Sequence, residues 1–342
     1  MSDIESATES AIGKSPPRLE AAEKAAGTAI YSGDMELPGM LHAALLTSPY
    51  SHARILSYDV SAALALPGVK AVVTAEDISG GCIGLVCKDE KALAHGKVRY
   101  IGEPVAAVAA RDEATARLAA RLIEVEYEEL PAATTVEQAM AEGAPVLHED
   151  FADYTKIYQA PENEGNLLAR AEAVMGRGVD GFDEADVIVE GTYEVGAQYH
   201  AYMEPVSVLA AFGPDGRVTV WSSTQSIFRT QANIHEGLGI PMGKIRCVAP
   251  RIGGGFGAKA EASGQLVTVM LAKKAGMPVR LVLTRDEDMT SMRARHPGTL
   301  RVKTGAKADG TLVAREMEVW LDAGAYADDS PAVMNLVLFY AR

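Results

Sequence analysis

Hydrophobic and polar positions alternate most cleanly in the run Ile123-Glu-Val-Glu-Tyr-Glu-Glu-Leu130. Ile123, Val125 and Tyr127 interleave with Glu124, Glu126 and Glu128. Period two with carboxylates outward predicts a strand covered on one side. Unbroken apolar runs at Met40 to Leu46, Val69 to Thr74 and Val105 to Ala109 predict buried strands, the first preceded by a turn at Leu37-Pro38-Gly39. Asp112 is placed to cap an Ala-rich helix from Glu113 to about Leu122. Strands interleaved with a helix make the region from about Arg18 to Pro131 an α+β or α/β module.

From Ala132 to Gly181 the period is lost among Gly, Pro and charged residues, which predicts a linker crossing the surface. It resumes at Asp186 to Val195. Val206 to Phe212 and Val218 to Ser222 flank Gly-Pro-Asp-Gly as a hairpin. A helix is predicted from Ser226 to about Leu238, ended by Gly239 and Pro241, and a strand from Ile245 to Ala249. A second helix is expected from Glu261 to Ala275, then a strand from Val279 to Leu283 and a hairpin turning at Asp309-Gly310. The chain thus divides into a disordered leader (1–17), a first domain (18–131), a linker (132–181) and a second, mixed α+β domain (182–342). The last stretch, Ala332-Val-Met-Asn-Leu-Val-Leu-Phe-Tyr-Ala-Arg342, is apolar and is expected to continue its packing against something else.

Length and charge narrow the function classes. At 342 residues the chain holds two or three domains of ~150 residues. Lys plus Arg is 32 against 46 Asp plus Glu, a formal net charge of −14, and no basic block offsets it. Such a chain is a poor match for nucleic acid or an anionic membrane. No run approaches the ~20 apolar residues of a membrane span. Three cysteines, Cys82, Cys87 and Cys247, are too few for a disulfide scaffold and point to a reducing, cytoplasmic compartment.

The strongest candidate for chemistry is Arg251-Ile-Gly-Gly-Gly-Phe-Gly-Ala-Lys259, between a predicted strand and a helix. Gly254, Gly255 and Gly257 let the backbone approach a ligand and turn N–H groups into a concavity, with Phe256 projecting among them. The P-loop pattern fails, because Ala258 precedes Lys259 and Ala260 follows it, and the dinucleotide fingerprint fails on spacing. A tight strand-to-helix corner stands as an equal reading. In Trp221-Ser-Ser-Thr-Gln225, the Gln225 amide can serve a pocket or can be a cap or surface residue. His200 and Glu204 are spaced for one helix face, but Pro205 and β-rich flanks argue for extended chain and against a metal pair. Cys82 and Cys87 lack zinc spacing and read as packing. Arg285 to Asp288 and Arg293 to Pro297 read as solvated charged loops, and no G-x-S-x-G elbow supports a hydrolase.

Together these segments resemble the large, molybdenum-binding subunit of the xanthine dehydrogenase and aldehyde oxidase family, over nearly the whole chain from about Arg18. Gly27-Thr-Ala-Ile-Tyr-Ser-Gly-Asp34, Ser48-Pro-Tyr-Ser-His-Ala-Arg-Ile55 and Ile101-Gly-Glu-Pro-Val-Ala-Ala-Val108 are similar to its a/b hammerhead domain. Met203-Glu-Pro205, Ser222-Ser-Thr-Gln225, Gly253-Gly-Gly-Phe-Gly257, Arg295-His-Pro297 and Asp322-Ala-Gly-Ala-Tyr326 are similar to its molybdopterin-binding region. Each motif is weak alone; their order and spacing carry the match. The implied fold is α+β: the hammerhead domain over 18–131, then an incomplete first part of a mixed α/β molybdopterin-binding domain.

What the resemblance implies for chemistry is specific. The cofactor is molybdopterin, as Mo-molybdopterin or its cytosine dinucleotide form, and its dithiolene rather than protein side chains holds the metal. Gln225 then hydrogen-bonds a metal oxygen, and Phe256 sets its backbone amide and ring beside the metal, with Gly254, Gly255 and Gly257 lining the cofactor. The reaction implied is oxidation of an electron-poor carbon of a heteroaromatic or aldehyde substrate with water-derived oxygen. Electrons leave to [2Fe-2S] and FAD groups on partner subunits. Ala260 stands where purine-oxidising members carry glutamate, with Glu261 one place late, and Met334-Asn-Leu336 lacks their arginine. Xanthine is thereby disfavoured; nicotinate-type rings, aldehydes and aromatic thioesters remain. The family's general-base glutamate and most pterin contacts have no counterpart here, so the expected partners are the C-terminal half of the molybdenum subunit, an Fe–S subunit and a FAD subunit. Without that half the chain is expected to be inactive. The alternatives are a non-catalytic scaffold or assembly module of such a complex, or a member like hydroxybenzoyl-CoA reductase.

Overall fold

The strand Val279–Val282 lies at the centre of a seven-stranded sheet and joins the two halves of the chain. In order, the sheet runs Ile245–Val248, Val218–Ser222, Ser207–Phe212, Val279–Val282, Leu41–Thr47, Pro104–Ala110, Val69–Thr74. Val279–Val282 pairs parallel with Leu41–Thr47, with Leu41 opposite Val279, and antiparallel with Ser207–Phe212, with Ser207 opposite Val282. Strands from the first region and strands from the second therefore share one ladder. Local periodicity does not reveal this, since pairing partners lie far apart in sequence. The computed structural model describes residues 12–158, 165–260 and 264–340. The leader's residues 1–11, Glu261 with the expected helix start, and Arg342 lie outside the described residues.

The sheet's two faces bury different chemistries. On one, the helix Gln265–Ala275 packs Leu266, Val267, Val269, Leu271 and Ala272 into a core shared with Val208, Val220, Val279 and Leu281. That helix is buried nearly all round, as befits an apolar segment without a polar stripe. On the other, Ala116, Ala119 and Ala120 of the helix Glu113–Arg121 meet Ala44, Ala106, Val108 and Ala110. Small side chains on both surfaces let helix and sheet approach closely. Asp112 caps this helix, its side chain accepting the Thr115 N–H at 2.7 Å.

The strand Glu124–Glu129 forms with its carboxylates outward and pairs with Ala53–Asp59, Tyr127 facing Ile55. Gly239 closes the helix Ile227–Leu238 in the left-handed conformation, φ 68°. Residues 132–158 and 165–181 carry short elements, among them Val136–Met140, capped by Thr135, and Thr155–Lys156, which pairs with Cys87–Lys88. The strands Val187–Val195, Gly298–Ala306 and Leu312–Leu321 form a separate antiparallel sheet with its hairpin at Asp309-Gly310.

Candidate functional site

Gln225 stands at the end of the strand Val218–Ser222, just before the helix Ile227–Leu238. Buried hydroxyls fix this corner. Ser223 Oγ accepts the Ser207 N–H at 3.0 Å, and Thr224 Oγ1 accepts the Ser226 N–H at 3.1 Å. The Gln225 N–H donates to the Lys259 carbonyl at 2.8 Å, and Thr224 Oγ1 donates to the same oxygen at 3.2 Å. Gln225 is not a helix cap: Ser226 occupies that position, and Gln225 Oε1 instead accepts the Gly257 N–H at 2.9 Å. With Oε1 engaged, Nε2 is a donor without a partner among the described residues.

The glycine segment wraps against this amide. A Cβ at Gly255 would lie 2.3 Å from Gln225 Oε1, so only glycine permits the contact. Gly254 takes φ 100°, and Phe256, a non-glycine residue, takes φ 55°, a conformation that costs energy and is held by the surroundings. Phe256 is 73% exposed. Among the described residues the N–H groups of Gly254, Gly255 and Phe256 donate to no acceptor. Three unpaired backbone donors beside a free amide NH₂ suit a group rich in acceptor oxygens. The structure thus brings Gln225, Gly254, Gly255, Phe256 and Gly257 together at one place.

Beneath the loop lies a buried charge network that sequence reasoning missed. Lys259 Nζ donates to the Glu204 carbonyl at 2.6 Å and to Glu204 Oε2 at 3.0 Å, and sits 4.4 Å from the centroid of the Tyr202 ring. Burial pushes the Lys259 ammonium down, and Glu204 opposes that shift. The Tyr202 hydroxyl donates to Asp288, which is fully buried; burial and Asp288 together push that hydroxyl up. The solvated-loop expectation for Arg285 to Asp288 is therefore corrected. These residues open a helix, Arg285–Ser291, with a capping box between Thr284 and Glu287, and Asp288 turns inward to accept the Val206 N–H at 3.2 Å. Arg293 likewise points inward, to Glu90 and Asp328. His200 and Glu204 share no helix face, because Tyr199 to Pro205 is non-helical. The sole local signal for the network is an acidic residue in Met203-Glu-Pro205 and a lysine after the glycines.

Cys87 is buried, and Cys247 packs partly buried against the main core. All three cysteines are free, and burial pushes Cys87 up to about 12 and Cys247 up to about 11. Among the described residues no three His, Cys, Asp or Glu side chains cluster as metal ligands. A cavity of about 410 Å³ lies elsewhere, walled by His52, His148, Trp320 and Met334, and no residue of the Gln225 site lines it.

Comparison with known proteins gives concordant findings. Residues 26–131 match the family model described as aldehyde oxidase and xanthine dehydrogenase, a/b hammerhead domain. Residues 159–342 match the one described as molybdopterin cofactor-binding domain. The chain is 38% identical over 319 residues to a probable xanthine dehydrogenase subunit of Bacillus subtilis (strain 168), covering 93% of this chain and 41% of that protein. It is 36% identical over 325 residues to the nicotinate dehydrogenase large molybdopterin subunit of Eubacterium barkeri, covering 95% of this chain and 73% of that one. Aldehyde oxidoreductase from Desulfovibrio gigas superimposes with a TM-score of 0.85 at 31% identity, over 93% of this chain and 35% of that one. The chain spans less than half the length of the first of these relatives and about a third of the solved structure.

Proposed function

The chain belongs to the molybdopterin oxidoreductase family that includes the aldehyde oxidases and xanthine dehydrogenases, and from that premise we propose that it is part of the catalytic subunit of a molybdenum hydroxylase. The observation that carries this reading is the junction of Gln225 with the glycine loop: a side-chain NH₂ and three main-chain N–H groups in one place, unpaired among the described residues. This donor set fits a metal held by its own organic ligand, since it offers hydrogen bonds and no ligating side chains among the described residues. When bound, the cofactor would supply two-electron oxidation of an electron-poor carbon with oxygen taken from water.

In this reading Gln225 Nε2 and the Phe256 N–H orient the cofactor's oxygen ligands. Gly254, Gly255 and Gly257 allow the backbone to come close. The exposed Phe256 ring forms a flat apolar wall, matched to a planar heteroaromatic or to an aldehyde. Ala260 leaves the adjoining position uncharged, which disfavours xanthine. The remaining length of the molybdenum subunit, an Fe–S subunit and a FAD subunit would complete the enzyme. The free cysteines suit a reducing cytoplasm.

The test is metal analysis of the co-purified complex, together with turnover in ¹⁸O-labelled water. Molybdenum near one per chain and label in the hydroxylated product are expected. A complex free of molybdenum and of turnover would make this chain a scaffold instead.

A further inference from the structure

We propose that Lys259 is a positioning residue that holds the glycine loop and Gln225 in register with one another. The inference rests on the reading of Gln225 and Phe256 as the groups that face the cofactor. It adds what fixes them there.

The Lys259 side chain is wholly buried. Burying an ammonium costs desolvation that a methionine of similar length would avoid, so its presence calls for a function of the charge. Two connections supply one. Through its side chain, Lys259 grips both the carbonyl and the carboxylate of Glu204. Glu204 in turn grips Gly253: Oε2 accepts the Gly253 N–H at 2.7 Å, and the Glu204 N–H donates to the Gly253 carbonyl at 3.2 Å. Through its main chain, the Lys259 carbonyl accepts the N–H of Gln225 and the hydroxyl of Thr224.

Lys259 therefore ties the far end of the loop to its near end and to Gln225. The amides of Gly254, Gly255 and Phe256 lie between the two tied ends. Glu204 Oε1 is buried with no partner among the described residues, so the carboxylate depends on Lys259 for compensation of its charge. Replacing Lys259 by Met leaves the Glu204 carboxylate without its cation, so that it turns toward water and loosens its grip on Gly253. Replacing both residues, as K259M with E204Q, removes the stranded charge yet restores no ammonium to fix the loop.

Two measurements test this. Hydrogen–deuterium exchange on the full chain reads the Gly253 and Gln225 amides without any cofactor. Both are expected to exchange about tenfold faster or more in K259M and in K259M/E204Q, with amides of the helix Glu113–Arg121 unchanged. In the assembled enzyme, the paramagnetic resonance signal of the metal centre is expected to shift in both variants, with kcat lowered about tenfold at unchanged metal content. E204Q should recover the melting temperature lost in K259M but neither the exchange nor the signal. Wild-type exchange and signal in the double variant overturn the proposal, and that variant decides the matter if K259M does not fold. Accelerated exchange in the variants alongside a wild-type complex without molybdenum would sink the cofactor reading while upholding the role of Lys259 in the loop.

Discussion

Gly255 and Gln225 touch so closely that a single added methyl group has no room: its carbon would sit 2.3 Å from Gln225 Oε1. The contact places the amide and the loop in one arrangement, because Oε1 also takes the Gly257 N–H. Gly255→Ala must therefore push Gln225 aside or lift the loop. We expect turnover of the assembled enzyme to fall about a hundredfold, the scale of losing one preorganised donor. Steady-state kinetics normalised to bound molybdenum checks this; a rate within a factor of two of wild type would remove the contact from the mechanism.

Gln225→Glu separates the two ends of that side chain. A carboxylate still accepts the Gly257 N–H, so the loop should stay in place, and since the residue is exposed, stability should change by no more than about 0.5 kcal/mol. What is lost is the Nε2 donor. Turnover is expected to drop as far as in Gln225→Ala, by about tenfold to a hundredfold, with assembly of the complex unaffected. If Gln225→Glu kept wild-type turnover while Gln225→Ala did not, the amide would serve the loop alone.

How much of this was legible in the sequence follows from the reach of each interaction. The cap at Asp112, the stop at Gly239 and the alternating strand at Val125 and Tyr127 are local, set by residues within a few positions, and they form as the pattern predicts. Gln225 and the glycines stood out as separate motifs, but nothing in their spacing shows that Oε1 of one meets N–H of the other. The buried role of Asp288 was hidden behind three charged neighbours, because its partners, Tyr202 and Val206, lie more than eighty positions away. Lys259 and Glu204 fail to announce themselves for the same reason. The central strand Val279–Val282 is legible as a strand, whereas its neighbours on either side are a property of the sheet.

Asp328 is the second point where distant segments depend on one carboxylate. It takes φ 39°, accepts the Leu85 N–H, pairs with Arg229, and stands 3.7 Å from Arg293. Asp328→Ala would leave the Arg229 guanidinium, itself 10% exposed, without its principal partner. Breaking one side of a buried pair costs about 3 kcal/mol or more, and the positive φ offers alanine no relief. Urea unfolding of the full chain should show that loss as a lower midpoint at an unchanged slope. A change below about 1 kcal/mol would mean that the Asp329 carboxylate, 4.0 Å from Arg229, substitutes for it.

Glu103 gives a pH dependence with a definite sign. Its carboxyl is buried, accepts bonds from the Tyr326 hydroxyl and the Arg99 N–H, and is raised from the ordinary 4.5 to about 7, burial outweighing both hydrogen bonds and the Arg99 charge. A raised carboxyl binds its proton more tightly in the folded chain than in the unfolded one. Its contribution to stability is thus fully present below pH 4.5 and is lost as the pH climbs through 7. Glu103→Gln keeps an acceptor for Arg99 and supplies an NH₂ for Tyr326 without ever ionising. Its melting temperature should match wild type near pH 5 and exceed it by about 5 °C at pH 8, a gap that opens between those values. Parallel melting curves across that range would show that Glu103 ionises as readily inside the protein as outside it, and that the charge of Arg99 compensates for its burial.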